Sequence, residues 1–344
     1  MNNVFYGIFS LNARFLGYCS AVAAMALYSG ILTFFYIFCF SIGTNLPHLR
    51  ELVLTIAFSS FVSTMGHGLQ FGFPVIKIPA IDSQLRFANS CILRGSEPKL
   101  RADLTLEELK RLLEILLHLP KKNGKIGAFW AMCFVIPVYA LTYWYHFETR
   151  QLMLIGILYV LAVSLHGSVT FIFSELAISR IVSECRRAIL SKIPAHREPV
   201  SSSMNLKFLI LGQAFITALV NLFGITYFAK GSIETILVIL FYSIFMMVLL
   251  GYLVLYRIGA SLREIRQAAT NLRDGSDQLI YSKDMDAEFV DIADGLNSAT
   301  LSIQDHQKHL EGRIVERTKE LSIERDKSEK LLLNILPVAI ANEL

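Results

Sequence analysis

Six stretches of the chain are long and apolar enough to cross a lipid bilayer, and this decides most of what it can fold into. They cover residues 16–42, 52–75, 127–145, 152–175, 207–229 and 236–256. A crossing helix needs about 20 mostly apolar residues, because each residue rises only about 1.5 Å through a hydrocarbon core about 30 Å thick. In lipid every backbone N–H and C=O must be satisfied without water, which a helix does within its own segment. Composition agrees. Of 344 residues, 54% are hydrophobic and only 17% charged, against roughly 25% charged in soluble domains. The expected fold is an all-α membrane protein with six transmembrane helices arranged as three hairpins over 1–256.

Orientation follows from Lys and Arg, which concentrate on the cytoplasmic side of a membrane. Residues 76–126 hold ten of them, residues 176–206 hold five, and the chain after Tyr256 holds twelve. The intervening connections hold only Arg50, Arg150 and Lys230. The strict alternation places both termini in the cytoplasm of a multi-pass protein of the plasma (inner) membrane. The net charge of +4 is too small to argue for a nucleic-acid partner. The outer loops are too short for a sensory domain. A ligand must therefore be small or membrane-embedded and bind among the helices, unless the stimulus comes through the lipid or the spans are only an anchor. The five cysteines show no CxxC pair and no disulfide or zinc spacing.

Apolar helical stripes extend beyond two spans. Ile178, Ile181, Val182, Cys185 and Ile189 follow the fourth span, and Pro194 closes that helix. In the basic loop, Thr105 and Glu108 form a capping box for a helix with the stripe Leu109, Leu112, Leu113 and Leu116. Pro120 with Gly124 is expected to end it. The two stripes are expected to pack on each other or on the continuation of the sixth span, with a membrane-surface role as the alternative. Pro74 and Pro79 are expected to break the path after the second span.

Two histidines match. His67-Gly68 is followed by Phe71 and Phe73, and His166-Gly167 by Phe171 and Phe173. Each lies about 15 residues into an outside-to-inside span, so the depths are similar, roughly 22 Å. Such a pair can bind haem or a metal, titrate as a proton sensor, or simply hydrogen-bond between helices. His48 and His146, near the outer face, are a second candidate pair.

After Tyr256 the pattern changes. Leu262, Ile265, Ala269 and Leu272 continue the sixth span as an amphipathic helix, and 273–277 break it. A second helix starts at Asp286 or Ala287 with Phe289, Ile292, Leu296, Ala299 and Ile303 on one face. Helix, connector and parallel helix is the layout that a parallel homodimer completes as a four-helix bundle. Residues 257–305 resemble a HAMP domain. Gly275 and Asp277 stand at the break, Glu288 and Phe289 at the opening of the second helix, and Leu296-Asn297 near its end. Gly259-Ala260-Ser261 replaces the usual proline, and Ala299 the usual methionine.

From Ile303 a 3–4 spacing continues through Gln307, Leu310, Ile314, Arg317, Leu321, Glu324, Ser328, Leu331, Ile335 and Val338. This is a coiled-coil seam with polar residues in core positions, which weakens it and suits a two-state switch. The alternative is an ordinary solvated helix. The segment "ERTKEL", 316–321, resembles the signalling helix of receptor enzymes, which assigns 306–330 to such a helix. The closing "EKLLLNILPVAIANEL", with Asn334 and Pro337, resembles the transducer segment that precedes the catalytic domain of class III adenylate cyclases, here 331–344. The resemblance implies a dimeric cyclase domain beyond Leu344, and Mg and ATP only there. No catalytic residue or cofactor is expected within 1–344 apart from the haem or metal option at His67 and His166. No Walker loop, GGDEF-like motif or HExxH is present. The expected function is the sensor and signal-transmitting half of a membrane adenylate cyclase. A stand-alone membrane regulator that dimerises with other receptors, the stem of a receptor histidine kinase, and a transporter are the alternatives.

Overall fold

The structure is a computed structural model, and it describes residues 9, 18–43, 48–71, 81–93, 99–133, 135–193, 204–228, 233–274, 279 and 286–335. Nearly all of them are helical. The helices are α1 (Tyr18–Gly43), α2 (Leu49–Phe71), α3 (Ser83–Cys91), α4 (Leu106–Cys133), α5 (Val135–Trp144), α6 (Thr149–Leu190), α7 (Met204–Phe228), α8 (Ile233–Arg273) and α9 (Ala287–Ile335). Every apolar stretch of the sequence coincides with one or two of them. Among the described residues the only strands are β1 (Ile92–Leu93) and β2 (Lys99–Leu100), paired antiparallel with Ile92 opposite Leu100. Among the described residues three helical stretches are long and apolar enough to cross a membrane: Leu106–Trp144, Gln151–Leu190 and Leu240–Arg273. Large apolar side chains point outward on several helices. Phe58, Phe61, Ile136, Tyr139, Leu209 and Phe241 are each more than 60% exposed. A water-facing surface does not carry so many, whereas a lipid-facing one does.

The chain divides into two compact units, one of Met1–Ile265 with Tyr281–Ala293 and one of Arg266–Ile280 with Asp294–Leu344. The first is organised around α6. Its 42 residues make a rod of about 63 Å. The half towards Leu190 buries Ile178, Ile181, Val182, Cys185 and Ile189 against Leu109, Leu112, Leu113 and Leu116 of α4, together with Leu85 and Ala88 of α3 and Tyr18 and Val22 of α1. The two stripes therefore pack on each other, as their spacing suggested, and α4 with α6 is the most extensive helix pairing. The other half buries Leu165, Val169, Ile172 and Leu176 against Ile210 of α7 and Tyr242, Met246 and Leu250 of α8. Leu52 and Ile56 of α2 meet Val138 of α5 in a third, small core.

The capping box forms. The Thr105 backbone N–H donates to Glu108 Oε2 at 2.8 Å, and the Glu108 N–H donates back to Thr105 Oγ1 at 3.3 Å. The expected stop at Pro120 and Gly124 does not occur. The helix runs through Pro120 to Cys133. Proline removes one backbone bond and costs about 3 kcal/mol in a helix interior. Here the turns around it are packed, with Leu116, Leu117, Leu119, Pro120, Asn123 and Gly124 all buried, and tertiary burial overrides the local preference. A close crossing adds to this. A Cβ placed on Gly124 would lie 3.2 Å from the Gly167 carbonyl of α6, so the missing side chain lets the two backbones approach. The expected breaks at Pro74, Pro79 and Pro194 lie outside the described residues.

The first stalk helix ends at Arg273 and the second starts at Ala287, near the expected positions, but they bury different faces. On α9 the buried residues are Phe289, Val290, Ala293, Asn297 and Thr300, whereas Ile292 and Ile303 are more than 40% exposed. On α8 Arg257 and Ser261 are buried and Leu262 is exposed. Apolar spacing marks a face that wants cover without naming its partner, and within one chain those positions stay open. Along the second unit Leu310, Ile314, Leu321 and Leu331 are all more than half exposed.

Candidate functional site

His67 and His166 belong to one polar network that crosses the apolar bundle. Asn123 of α4, fully buried, is its centre. His67 Nε2 lies 2.6 Å from Asn123 Oδ1. Asn123 Nδ2 donates to the Val22 carbonyl of α1 at 3.0 Å and to Ser174 Oγ of α6 at 2.7 Å. Ser174 in turn donates to the Thr170 carbonyl at 2.6 Å. Further along α6, Ser29 Oγ of α1 lies 2.7 Å from His166 Nδ1, 2.8 Å from Thr170 Oγ1 and 3.0 Å from the His166 carbonyl. Four helices thus share one set of hydrogen bonds in a region where water is excluded, which makes each bond costly to lose.

The geometry assigns the protons. A carbonyl can only accept, so the Asn123 amide nitrogen must face Val22 and its oxygen must face His67. That oxygen also only accepts, so His67 Nε2 carries a hydrogen and donates it. At Ser29 all three contacts are satisfied at once when Oγ accepts from His166 Nδ1–H and from Thr170 and donates to the His166 carbonyl. His67 also stacks on Phe71, with ring centroids 5.2 Å apart and planes 3° from parallel. Nε2 of His166 faces the α4 backbone, where a Cβ placed on Gly127 would lie 3.0 Å away. With His67 Nε2 on Asn123 and His166 Nε2 against a helix, the pair does not fit axial ligation of haem. It fits hydrogen bonding between helices. Among the described residues no three His, Cys, Asp or Glu side chains gather as a metal site would require.

The second histidine pair is built differently. His48 and His146 have positive φ, 55° and 52°. His146 ends α5 in a Schellman arrangement, with the Phe147 N–H on the Thr142 carbonyl at 3.1 Å and the His146 N–H on the Tyr143 carbonyl at 3.3 Å. The His48 ring lies 4.1 Å, centroid to centroid, from Tyr145, the neighbour of His146. The two turns are therefore adjacent in space.

A group that spacing did not announce lies on a neighbouring face of α6. Lys207 of α7, Glu175 of α6 and Asp286, which precedes α9, are all buried, at 2%, 1% and 0% exposure. Lys207 Nζ lies 3.2 Å from Glu175 Oε1 and hydrogen-bonds Asp286 Oδ2. The available signal was an acid and a base at the edges of apolar stretches. Ser29, Thr170 and Ser174 carried a weaker one, because hydroxyls inside helices usually bond back to their own helix. Asn123, inside "KKNGK", read as loop.

The stalk residues singled out by resemblance are placed as follows. Glu288 is exposed, Leu296 half-buried and Asn297 buried. Leu310 and Leu321 are exposed, and Arg317 pairs with Glu320 at 2.8 Å on the helix surface. Asn334 lies in the last turn of α9, and Pro337 lies outside the described residues. Comparison with family models, with curated proteins and with solved structures returned no match.

Proposed function

We propose that this chain is the membrane sensor and signal-transmitting part of a class III adenylate cyclase. In this proposal α1, α2, α4 with α5, α6, α7 and α8 cross the plasma membrane as three hairpins, with both termini cytoplasmic. Two chains then pair in parallel, as a HAMP-like unit over 257–305 and a coiled coil over 306–330. Residues 331–344 pass the signal to catalytic domains whose active sites form between chains. The observation that carries the proposal is α9. It is an unbroken helix of 49 residues whose seam positions Leu310, Ile314, Leu321 and Leu331 are all more than half exposed. A helix with such a stripe needs a partner, and a second copy in register supplies the same stripe. The polar seam positions Gln307, Arg317, Glu324 and Ser328 keep that pairing weak.

A stimulus that binds one arrangement of the bundle better than another shifts their populations, and only that difference in affinity can do work on the stalk. A tenfold shift needs about 1.4 kcal/mol, which a weak seam can transmit and an over-stable one would block. The test is to fuse residues 1–344 to a class III cyclase domain and replace Gln307, Arg317, Glu324 and Ser328 with Leu. Cyclic AMP output should lock at one level and stop responding to any stimulus that works on the parent fusion. Leu310→Cys or Ile314→Cys should cross-link between chains. Normal responses from the all-apolar seam, or cross-linking only at the outward Glu311 and Lys319, would overturn the proposal.

A further inference from the structure

We propose that Lys207, Glu175 and Asp286 form a buried ionic latch that fastens the N-terminal end of α9 to α6 and α7. The three side chains come from separate elements, and all are removed from water. Lys207 sits in the first turn of α7 and touches both carboxylates, so its one side chain links α6 to the segment that opens α9. Asp286 is also the first link of α9: its carbonyl accepts from the N–H groups of Phe289 at 3.2 Å and Val290 at 3.1 Å. The residues that follow, Phe289, Val290 and Ala293, are 4%, 1% and 3% exposed. Residues 281–293 belong to the same compact unit as Lys207 and Glu175, while α9 from Asp294 onward does not. The latch therefore acts where the first unit ends along α9.

Ions buried in this way are poor stabilisers against well-packed apolar side chains, but removing one partner leaves the others uncompensated. That asymmetry makes a latch rather than a glue. Glu175 Oε2 makes no hydrogen bond to any described residue. The position of Glu175 gives the latch an input. Ser174, the residue before it, accepts from Asn123 in the histidine network. Successive helical residues point about a quarter-turn apart, so α6 holds the network on one side and the latch on the next. A rotation or shift of α6 that breaks one set of contacts strains the other. The latch concerns which segments hold together and does not rest on the proposed function.

The test uses the full chain in lipid nanodiscs with Val290→Cys as reporter and a membrane-impermeant maleimide, the labelled positions being located by peptide mass. Native Cys185, 0% exposed, monitors the fold in the same molecule. With Lys207 present, the introduced thiol should stay protected. Lys207→Met should raise its labelling rate about a hundredfold, the size expected for breaking a buried pair, with Cys185 still protected. Lys207→Glu combined with Glu175→Lys and Asp286→Lys inverts every charge, again places one charge between two of the opposite sign, and should restore protection. A thiol as protected in Lys207→Met as in the parent overturns the latch. So does a swapped protein that stays exposed while Cys185 is protected. Should Lys207→Met expose Cys185 as well, the swap alone decides: recovery of both protections supports the latch, and continued exposure rejects it.

Discussion

Replacing Asn123 with Ala removes the centre of the histidine network, and the cost can be worked from its contacts. The side chain is fully buried and makes three hydrogen bonds, to His67, the Val22 carbonyl and Ser174. Side-chain hydrogen bonds between membrane helices average about 0.6 kcal/mol and reach about 1.7. Three of them bracket the loss between about 2 and about 5 kcal/mol. The losses are unequal. Ser174 still donates to Thr170, and a helical carbonyl such as that of Val22 loses only a second bond. His67 loses the acceptor for its ring N–H in a region without water, where an orphaned donor costs about 1–3 kcal/mol. The expected loss is therefore about 3 kcal/mol. The assay is reversible unfolding in mixed micelles titrated with SDS and followed by tryptophan fluorescence. Ser174→Ala serves as comparison, because it deletes one spoke and should cost about 1 kcal/mol. The double mutant should cost less than the sum of the two, since both remove the same Asn123–Ser174 bond. A loss below about 0.5 kcal/mol for Asn123→Ala, or strict additivity with Ser174→Ala, would refute the network.

Three further outcomes are expected. Gly66→Ala should destabilise by about 1–3 kcal/mol, because the added Cβ would lie 2.4 Å from Trp130 Cζ2 and 2.5 Å from its Cη2; the same titration checks it, and an unchanged midpoint would reject the α2–α4 contact. His146→Gly should stabilise by about 1 kcal/mol, since a left-handed residue at a helix end is strained for any side chain; no gain would mean that His146 does not hold that conformation in solution. For Asp82, burial pulls the carboxyl upward, but hydrogen bonds from Lys122 and from the Gln84 N–H outweigh it and hold it below its ordinary value. A depressed carboxyl contributes stability that is fully present above its unfolded value and fades as pH falls through the folded one. Lys122→Met should therefore bring the Asp82 titration, followed by carboxyl NMR, up towards the ordinary carboxylate range, and leave the pH dependence of stability above neutrality untouched.

Local signals were strong where physics is local. The apolar stretches became helices because length and hydropathy alone decide whether a segment can bury its backbone in lipid. The Thr105–Glu108 box formed because its partners are three residues apart. The start of α9 at Ala287 lies where the apolar spacing of Phe289, Ile292 and Leu296 opens. Tertiary structure decided what local signals could not. Pro120 reads as a stop, yet the helix passes through it, since packing on α6 outweighs one missing hydrogen bond. Spacing placed His67 and His166 at one depth, but Asn123, the partner of His67, is 56 residues away from it, and nothing in "KKNGK" marks it as a core residue. Lys207 and Asp286 are 79 residues apart and sit at the ends of different elements. Hydrophobic periodicity states which face of a helix must be covered. Only the assembled bundle states which neighbour covers it, and therefore which polar atoms end up buried together.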